Sequence, residues 1–79
     1  LFSREIQEIV DQTLKNLPEK TREIFILSRN KGYTYKDIAE EMGISTKTVE
    51  FHISKALEQL RIELKDFIYL MPFLILLLN

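Results

Sequence analysis

Four residues that interrupt helices, two glycines and two prolines, divide this chain of 79 residues. Between them, apolar residues recur at three- and four-residue spacing, which is typical of amphipathic helices. No segment alternates apolar and polar residues long enough to predict a strand. A chain of this length has a small core, and small cores favour helices with local contacts. The sequence therefore predicts an all-α domain of four helices.

The first two helices are predicted on either side of Pro18. Ser3 suits an N-cap, and the apolar spacing that follows predicts a helix over about residues 4–15. Pro18 suits the first position of a second helix, over about residues 18–30. Because the run from Ile24 to Leu27 is apolar nearly all round, we expect this helix to be the most buried element.

The segment over residues 35–53 has the organisation of a helix-turn-helix. Gly32, before it, suits the left-handed C-cap of the second helix. Thr34 is the N-cap candidate of a short helix over about residues 35–42. Gly43 ends that helix, where the turn needs a conformation that is costly for other residues.

The spacing within this segment is more specific than any one of its residues. Ala39 is small enough for two helices to cross closely, and Gly43 follows four residues later. We expect Ile44 to reach the core from the turn, and Val49 to pack the second helix of the motif against the first. A generic helical hairpin that uses the same turn is the structural alternative. We favour DNA binding, because helix-turn-helix proteins place the second helix in the major groove.

The fourth helix has an apolar stripe on one face and candidate DNA contacts on the other. The stripe is Val49, Ile53, Ala56, Leu57, Leu60 and Leu64, and it runs on through Phe67, Ile68 and Met71 to Pro72. We therefore expect the helix to extend beyond Arg61. At 100° per residue the opposite face presents Thr46, Lys47, Glu50, Phe51, Ser54 and Lys55.

Each candidate has a chemical reason to contact DNA. Lysine suits phosphate or guanine, hydroxyl groups suit bases or backbone, and Glu50 can accept a hydrogen bond from cytosine N4. Phe51 suits thymine methyl groups, although a neighbouring protein would explain an exposed ring equally well. The N-terminus of the preceding helix favours phosphate. The complete set of candidates is Thr34, Lys36, Ser45, Thr46, Lys47, Thr48, Glu50, Phe51, Ser54 and Lys55.

The net charge argues against a strongly basic nucleic-acid binder. It is −1, with a pI near 5.8, whereas a basic nucleic-acid-binding domain has a pI above about 9. Residues 29–61 carry six bases and five acids. Any contact with DNA must therefore depend on where the charges lie.

Catalytic and metal chemistry find little support in the residue types. The chain has no cysteine and one histidine, which excludes a disulfide framework and a thiolate or histidine-rich metal site. His52 and Ser54 are two residues apart on a helix, so they point in different directions. We expect His52 to lie at the flank of the fourth helix, touching phosphate or packing at its edge. We expect no enzymatic activity, no cofactor and no metal.

Three segments together resemble region 4 of a bacterial RNA polymerase sigma factor, and most of all the extracytoplasmic-function group. They are Leu17 to Phe25, Gly32 to Ala39, and Ser45 to Arg61 with its Ala-Leu-x-x-Leu-Arg ending. The resemblance covers about residues 3–62. The output domain of two-component response regulators is the alternative family, since it shares the Thr-Val-x-x-His segment. It usually differs in its first helix and lacks the Ala-Leu-x-x-Leu-Arg ending.

The resemblance implies a function in transcription initiation. Region 4 of such factors binds the −35 promoter element through the second helix of the motif and docks on the flap of the polymerase β subunit through its other helices. Contacts would then fall on the candidates already named on the fourth helix. Several family members carry arginine near the positions of Glu50 and Lys55, and Glu50 departs from that pattern. The alternative is a helix-turn-helix that is used only for protein interaction.

The resemblance also implies a cytoplasmic protein that works with other chains. The −10 recognition domain is absent and the chain begins without methionine, so we expect a piece of a longer protein that does not initiate transcription alone. An anti-sigma factor is a further partner that the family suggests.

The last segment of the chain lies outside the resemblance. We divide the chain into a helix-turn-helix domain over residues 1–64 and an apolar tail over residues 65–79. Eleven of the twelve residues over 67–78 are apolar, but a membrane-spanning helix needs about 20. The tail could fold back on the core, touch a membrane surface or mediate association. We favour self-association, because an exposed patch of this size is unusual on a monomer. Its residues would be Phe67, Ile68, Leu70, Met71, Phe73 and Leu74.

Overall fold

The computed structural model describes residues 3–66, and this part of the chain contains four α-helices and no strand. In chain order they are α1 (Arg4–Asn16), α2 (Glu19–Ser28), α3 (Tyr35–Met42) and α4 (Thr46–Glu63). The all-α fold and the number of helices predicted from the sequence are confirmed. Among residues 3–66, no helix is both long and apolar enough to cross a bilayer.

Helix α2 is shorter than predicted at both ends. Pro18 has an extended backbone with ψ of 143°, so it is the N-cap and Glu19 is the first helical residue. At the other end the amide of Arg29 donates to two carbonyl groups, those of Ile26 and Leu27, which closes the last turn at Ser28. The helix therefore covers ten residues.

Helix α2 is also less buried than its apolar run suggests. Ile24 and Phe25 lie in the core, whereas the side chain of Ile26 is 50% exposed. Two residues along a helix correspond to a rotation of about 200°. Because α2 packs against α4 and α3 on its inner side, Ile26 points away from both. The apolar run therefore has an exposed member, although α2, with three of its ten residues buried, has the largest buried share of the four helices, as predicted.

Both glycines adopt left-handed backbone conformations, but only Gly43 ends a helix. Its φ is +67°, and Ile44 immediately after it donates its amide to the carbonyl of Ala39, 3.0 Å away. This geometry lets Ile44 pack against the core. Gly32 has φ of +86° and lies in the turn between α2 and α3, not at the C-cap of α2 as predicted.

The core forms where α4 meets the other three helices. The largest side chains with no exposed surface are Ile24 of α2, Ile38 of α3 and Val49 of α4. The complete set of buried apolar residues is Leu17, Ile24, Phe25, Ile38, Ala39, Val49, Ile53 and Ala56. The prediction that Val49 and Ala39 join the two helices of the motif agrees with this packing.

Helix α4 ends two residues beyond Arg61. Its last residue is Glu63, and Leu64 is the C-cap, with its amide bonded to carbonyl groups of the last turn. The predicted continuation of the apolar stripe through Phe67, Ile68 and Met71 lies outside the described residues, as does the rest of the tail.

Replacing Ile38 with alanine tests the core. We expect Ile38→Ala to lower the free energy of unfolding by about 2–5 kcal/mol, because a fully buried isoleucine leaves a cavity. Ile62→Ala is the matched control, since the side chain of Ile62 is 51% exposed and its loss should change stability by less than about 0.5 kcal/mol. Urea unfolding followed by circular dichroism measures both. Equal losses in the two variants would contradict this core.

Candidate nucleic-acid interface

The first half of α4 presents a polar and aromatic face to solvent. Val49, Ile53 and Ala56 point into the core and fix the rotation of the helix. The residues on the other side are therefore exposed, and they include Lys47, Glu50, Phe51, Ser54 and Lys55. The predicted outward face agrees with the structure, and so does the buried stripe at Val49, Ile53 and Ala56. The predicted stripe was wrong at Leu57, whose side chain is 39% exposed because it lies about 100° further round the helix than Ala56.

Phe51 is the largest apolar side chain on this face. It is 57% exposed, because no other helix within residues 3–66 covers it. The ammonium group of Lys55 lies 5.6 Å from the centre of its ring, within cation–π range. The ring of His52 meets Phe51 edge-on, with 5.5 Å between ring centroids and 78° between the ring planes. The lysine and histidine thus restrict the orientations of an exposed phenyl ring, which reduces the entropy lost when it contacts a partner.

Two hydroxyl groups organise the N-terminus of α4. Ser45 is the N-cap, and its Oγ accepts a hydrogen bond from the amide of Thr48 at 3.1 Å. The two hydroxyl oxygens of Ser45 and Thr48 are also hydrogen-bonded, 2.9 Å apart. Thr46 and Lys47, in the first turn, are exposed beside this cap. The N-terminus of α4 therefore combines helix-dipole charge, hydroxyl groups and one lysine.

The N-terminus of α3 carries the two remaining candidates. Thr34 forms a reciprocal capping box with Asp37: its Oγ1 accepts from the amide of Asp37 at 3.1 Å, and its own amide donates to the Asp37 carboxylate at 2.9 Å. Lys36 is exposed within the first turn. The Thr34 hydroxyl is thus engaged in the cap, and Lys36 is the freer of the two groups for an external anion.

The capping box lowers the pKa of the Asp37 carboxyl. The largest cause is the hydrogen bond from the backbone amide of Thr34, followed by the bond with the Thr34 side chain. Both bonds stabilise the charged carboxylate over its protonated form. The same carboxylate lies in the first turn of α3, where a negative charge interacts favourably with the helix dipole.

Eight of the ten predicted candidates therefore lie on α4 or at its cap, and two lie at the start of α3. Three of them, Thr34, Ser45 and Thr48, use their hydroxyl groups for capping contacts. The hydroxyl groups of these three position the helix ends, while lysine, glutamate and phenylalanine form the open face.

Sequence reasoning missed a contact that ties α4 to α2. The hydroxyl oxygen of Thr21 lies 2.9 Å from Nδ1 of His52, and Thr21 is only 4% exposed. The two residues are 31 positions apart, so helical spacing gives no signal for their pairing. A buried threonine among apolar residues on the inner side of α2 is the one indication that a partner was needed.

A catalytic or metal site has no geometric support among residues 3–66. No group of three or more acidic, histidine or cysteine side chains there is arranged to hold a metal ion. His52 uses Nδ1 for Thr21, and Ser54 is exposed on another side of the helix. The outward face of α4 instead carries separated charged side chains, which suits the binding of a partner.

Comparison with known proteins adds to this geometry. The family model described as Sigma-70, region 4 matches residues 7–60. The ferric citrate uptake sigma factor FecI of Escherichia coli (strain K12) is 41% identical over 54 residues, covering 68% of this chain and 31% of that protein. The ECF RNA polymerase sigma-E factor of Haemophilus influenzae (strain ATCC 51907 / DSM 11121 / KW20 / Rd) is 37% identical over 60 residues, covering 76% of this chain and 32% of that protein. The chain spans about a third of the length of these curated relatives. No solved structure matches it significantly.

The capping box predicts a specific dependence of stability on pH. Because folding lowers the pKa of Asp37, its carboxylate stabilises the fold above the ordinary pKa near 3.8, and this contribution is lost as pH falls through the lowered value. We expect Asp37→Asn to be less stable than the wild type at neutral pH, with the difference shrinking between about pH 5 and pH 2. Urea unfolding at several pH values measures this. Glu40→Gln removes a charge from the same helix without touching the cap, and should show no such convergence. A difference for Asp37→Asn that stays constant with pH would exclude the carboxylate as its source.

Proposed function

We propose that this chain, which belongs to the Sigma-70 region 4 family, binds the −35 element of bacterial promoters as part of an extracytoplasmic-function sigma factor. The family is a DNA-binding regulatory domain without catalytic activity. Both curated relatives carry sigma factor in their names. The family match favours this interpretation over the output domain of a response regulator.

The outward face of α4 is the observation that supports DNA binding most directly. Burial of Val49 and Ile53 orients Lys47, Phe51 and Lys55 away from the core. A major groove accepts a helix that presents its N-terminal half to the base edges. Lys47 stands in the first turn of the helix and Lys55 two turns later, so the pair can contact DNA near both ends of the inserted segment.

The roles of the face residues follow from their chemistry. We assign Lys47 and Lys55 to phosphate or guanine, and Thr46 and Ser54 to base or backbone hydrogen bonds. Phe51 would contact thymine methyl groups, and Glu50 would accept from cytosine N4. Lys36, in the first turn of α3, would contact a phosphate near the helix N-terminus.

RNA polymerase is the second proposed partner. In the proposed function α4 faces the promoter, and the other helices dock on the flap of the β subunit. This division suits the charges: the net charge is −1, so the domain gains little from non-specific attraction to DNA. Attachment to polymerase would supply the local concentration that its own charge does not. The protein would act in the cytoplasm, where promoter DNA lies, and an anti-sigma factor would be its regulatory partner.

Reversing the charge of both lysines tests DNA binding. We expect Lys47→Glu/Lys55→Glu to lose at least about tenfold in affinity for a −35 promoter duplex, because two phosphate or base contacts become repulsive. The salt dependence of log K should become shallower by about two units in slope, one for each lost contact. Fluorescence anisotropy at low salt, repeated over a salt series, measures both quantities.

Arg4→Glu/Lys65→Glu is the matched control. It makes the same change in net charge at exposed residues outside the face of α4, so its affinity should stay close to that of the wild type. Equal loss in the two double variants would show that binding follows net charge alone. Absence of binding by the wild type in the presence of polymerase core as well would favour a module used only for protein interaction.

We also propose that the apolar tail mediates self-association, through residues already named between Phe67 and Leu74. This proposal rests on sequence composition, since eleven of twelve residues over 67–78 are apolar. Light scattering over a range of concentrations should show a mass that rises with concentration. Leu70→Lys/Leu74→Lys should lower that mass to the monomer, while Ile62→Lys on α4 should not. A wild-type chain that stays monomeric at the highest concentration would contradict the proposal.

A further inference from the structure

The contact between Thr21 and His52 has no part in the proposed function so far. It joins the second helix to the helix that would enter the groove, with 2.9 Å between Thr21 Oγ1 and His52 Nδ1. Thr21 is 4% exposed, whereas His52 is only partly buried. The bond therefore has a buried end on α2 and an end near solvent on α4.

The direction of this hydrogen bond follows from comparison with the other buried threonine. Thr13 donates its hydroxyl to the carbonyl of Ile9 in the preceding turn of α1, at 2.7 Å. Within residues 3–66, the hydroxyl of Thr21 makes no hydrogen bond to a carbonyl group of the preceding residues, and its one partner is Nδ1 of His52. Its hydroxyl hydrogen therefore finds its acceptor across the interface, and Nδ1 of His52 is the group in reach. A threonine that only accepted here would leave a buried donor unsatisfied.

Donation by Thr21 fixes the tautomer of the imidazole. A neutral histidine whose Nδ1 accepts a hydrogen bond carries its proton on Nε2. Among residues 3–66, no protein group is hydrogen-bonded to Nε2 of His52, and no side-chain nitrogen or oxygen there is both buried and without a partner. The Nε2–H group is therefore open to solvent and available to donate.

The position of His52 on α4 places this donor beside the proposed DNA-binding face. At 100° per residue it lies about 60° around the helix from Lys55 and about 40° from Thr48, on the same flank. Its ring also meets the edge of Phe51, 5.5 Å between centroids. A flank of a helix that lies in the major groove runs along the phosphate backbone.

We propose that His52 is a phosphate-binding residue of this domain, donating from Nε2 to a DNA phosphate oxygen, and that Thr21 is the positioning residue which holds its tautomer and orientation. This inference rests on the proposed DNA-binding function. Because phosphate contacts carry no base information, His52 would add affinity and fix the register of α4 without changing sequence preference. A neutral donor also displaces fewer counterions than a lysine, so its loss would leave the salt dependence nearly unchanged.

The tautomer can be tested without DNA. Long-range proton–nitrogen NMR spectra at neutral pH should show His52 with an unprotonated Nδ1 and a protonated Nε2. Thr21→Val should remove this preference, and Thr21→Ser should restore it. Thr13→Val is the matched control, since it removes a buried threonine hydroxyl that bonds within α1. A proton on Nδ1 in the wild type would overturn the proposal.

The phosphate contact is tested by binding to two duplexes, one with a −35 element and one of mixed sequence. His52→Asn keeps an acceptor near Thr21 but has no group at the Nε2 position, so it should lose about tenfold in affinity for both duplexes equally. Its salt slope should match that of the wild type, whereas Lys47→Ala should lower the slope by about one. His52→Gln places an amide near Nε2 and should recover part of the affinity. Thermal unfolding confirms that each variant is folded at the temperature of the assay.

The outcomes separate this inference from the function on which it rests. Full affinity in His52→Asn, while Lys47→Ala weakens binding, would overturn the phosphate contact and leave DNA binding intact. Loss at the −35 duplex alone would overturn it too, since it would assign His52 to a base. Absence of binding by the wild type and every variant would overturn both. Equal loss on both duplexes with an unchanged salt slope would support the proposal.

Discussion

The burial of Val49 against the helices that precede it is the constraint on which the rest of this domain depends. Val49 belongs to the same buried cluster as Ile24 of α2 and Ile38 of α3, and none of the three side chains has exposed surface. Because α4 has one residue every 100°, fixing Val49 inward also fixes which residues point outward. The packing of Val49 therefore determines both the core and the orientation of the proposed DNA-binding face. A change that rotated α4 would disturb both together.

The helix ends help to hold α3 and α4 in the positions that this packing requires. Gly43 reverses the chain in a left-handed conformation, so that Ile44 can reach the core and Ser45 can cap α4. The capping box at Thr34 and Asp37 orders the start of α3 in the same way. These polar contacts lie next to the lysines that would meet phosphate. A small domain can therefore hold exposed binding groups in place by ordering the backbone beneath them, without burying the groups themselves.

The elements that depend on local residue order could be predicted from the sequence. The helices of the motif, the role of Gly43 and the outward position of Lys47, Phe51 and Lys55 follow from spacing and capping chemistry. The failures had tertiary causes. Ile26 is exposed because neighbouring helices cover only one side of α2, and a run of apolar letters does not show which side that is. Pro18 is the exception, since its position as a cap reflects the extended ψ of its own backbone. The pairing of Thr21 with His52 joins residues far apart in the chain, so no local pattern predicts it.

A nearly neutral domain can bind DNA only if its basic side chains are positioned to contact phosphate groups. With eleven bases against twelve acids, long-range attraction contributes little, and each phosphate contact must come from a group held in position. Lys55 lies against Phe51, and His52 is joined to Thr21, so two polar groups on one flank of α4 lose less freedom on binding than free side chains would. If the proposed interface is correct, order supplied by the fold would replace charge as the source of affinity. In the proposed interface, contacts that rigidify the face, such as the hydrogen bond of the buried Thr21 hydroxyl, would contribute to binding without meeting the DNA.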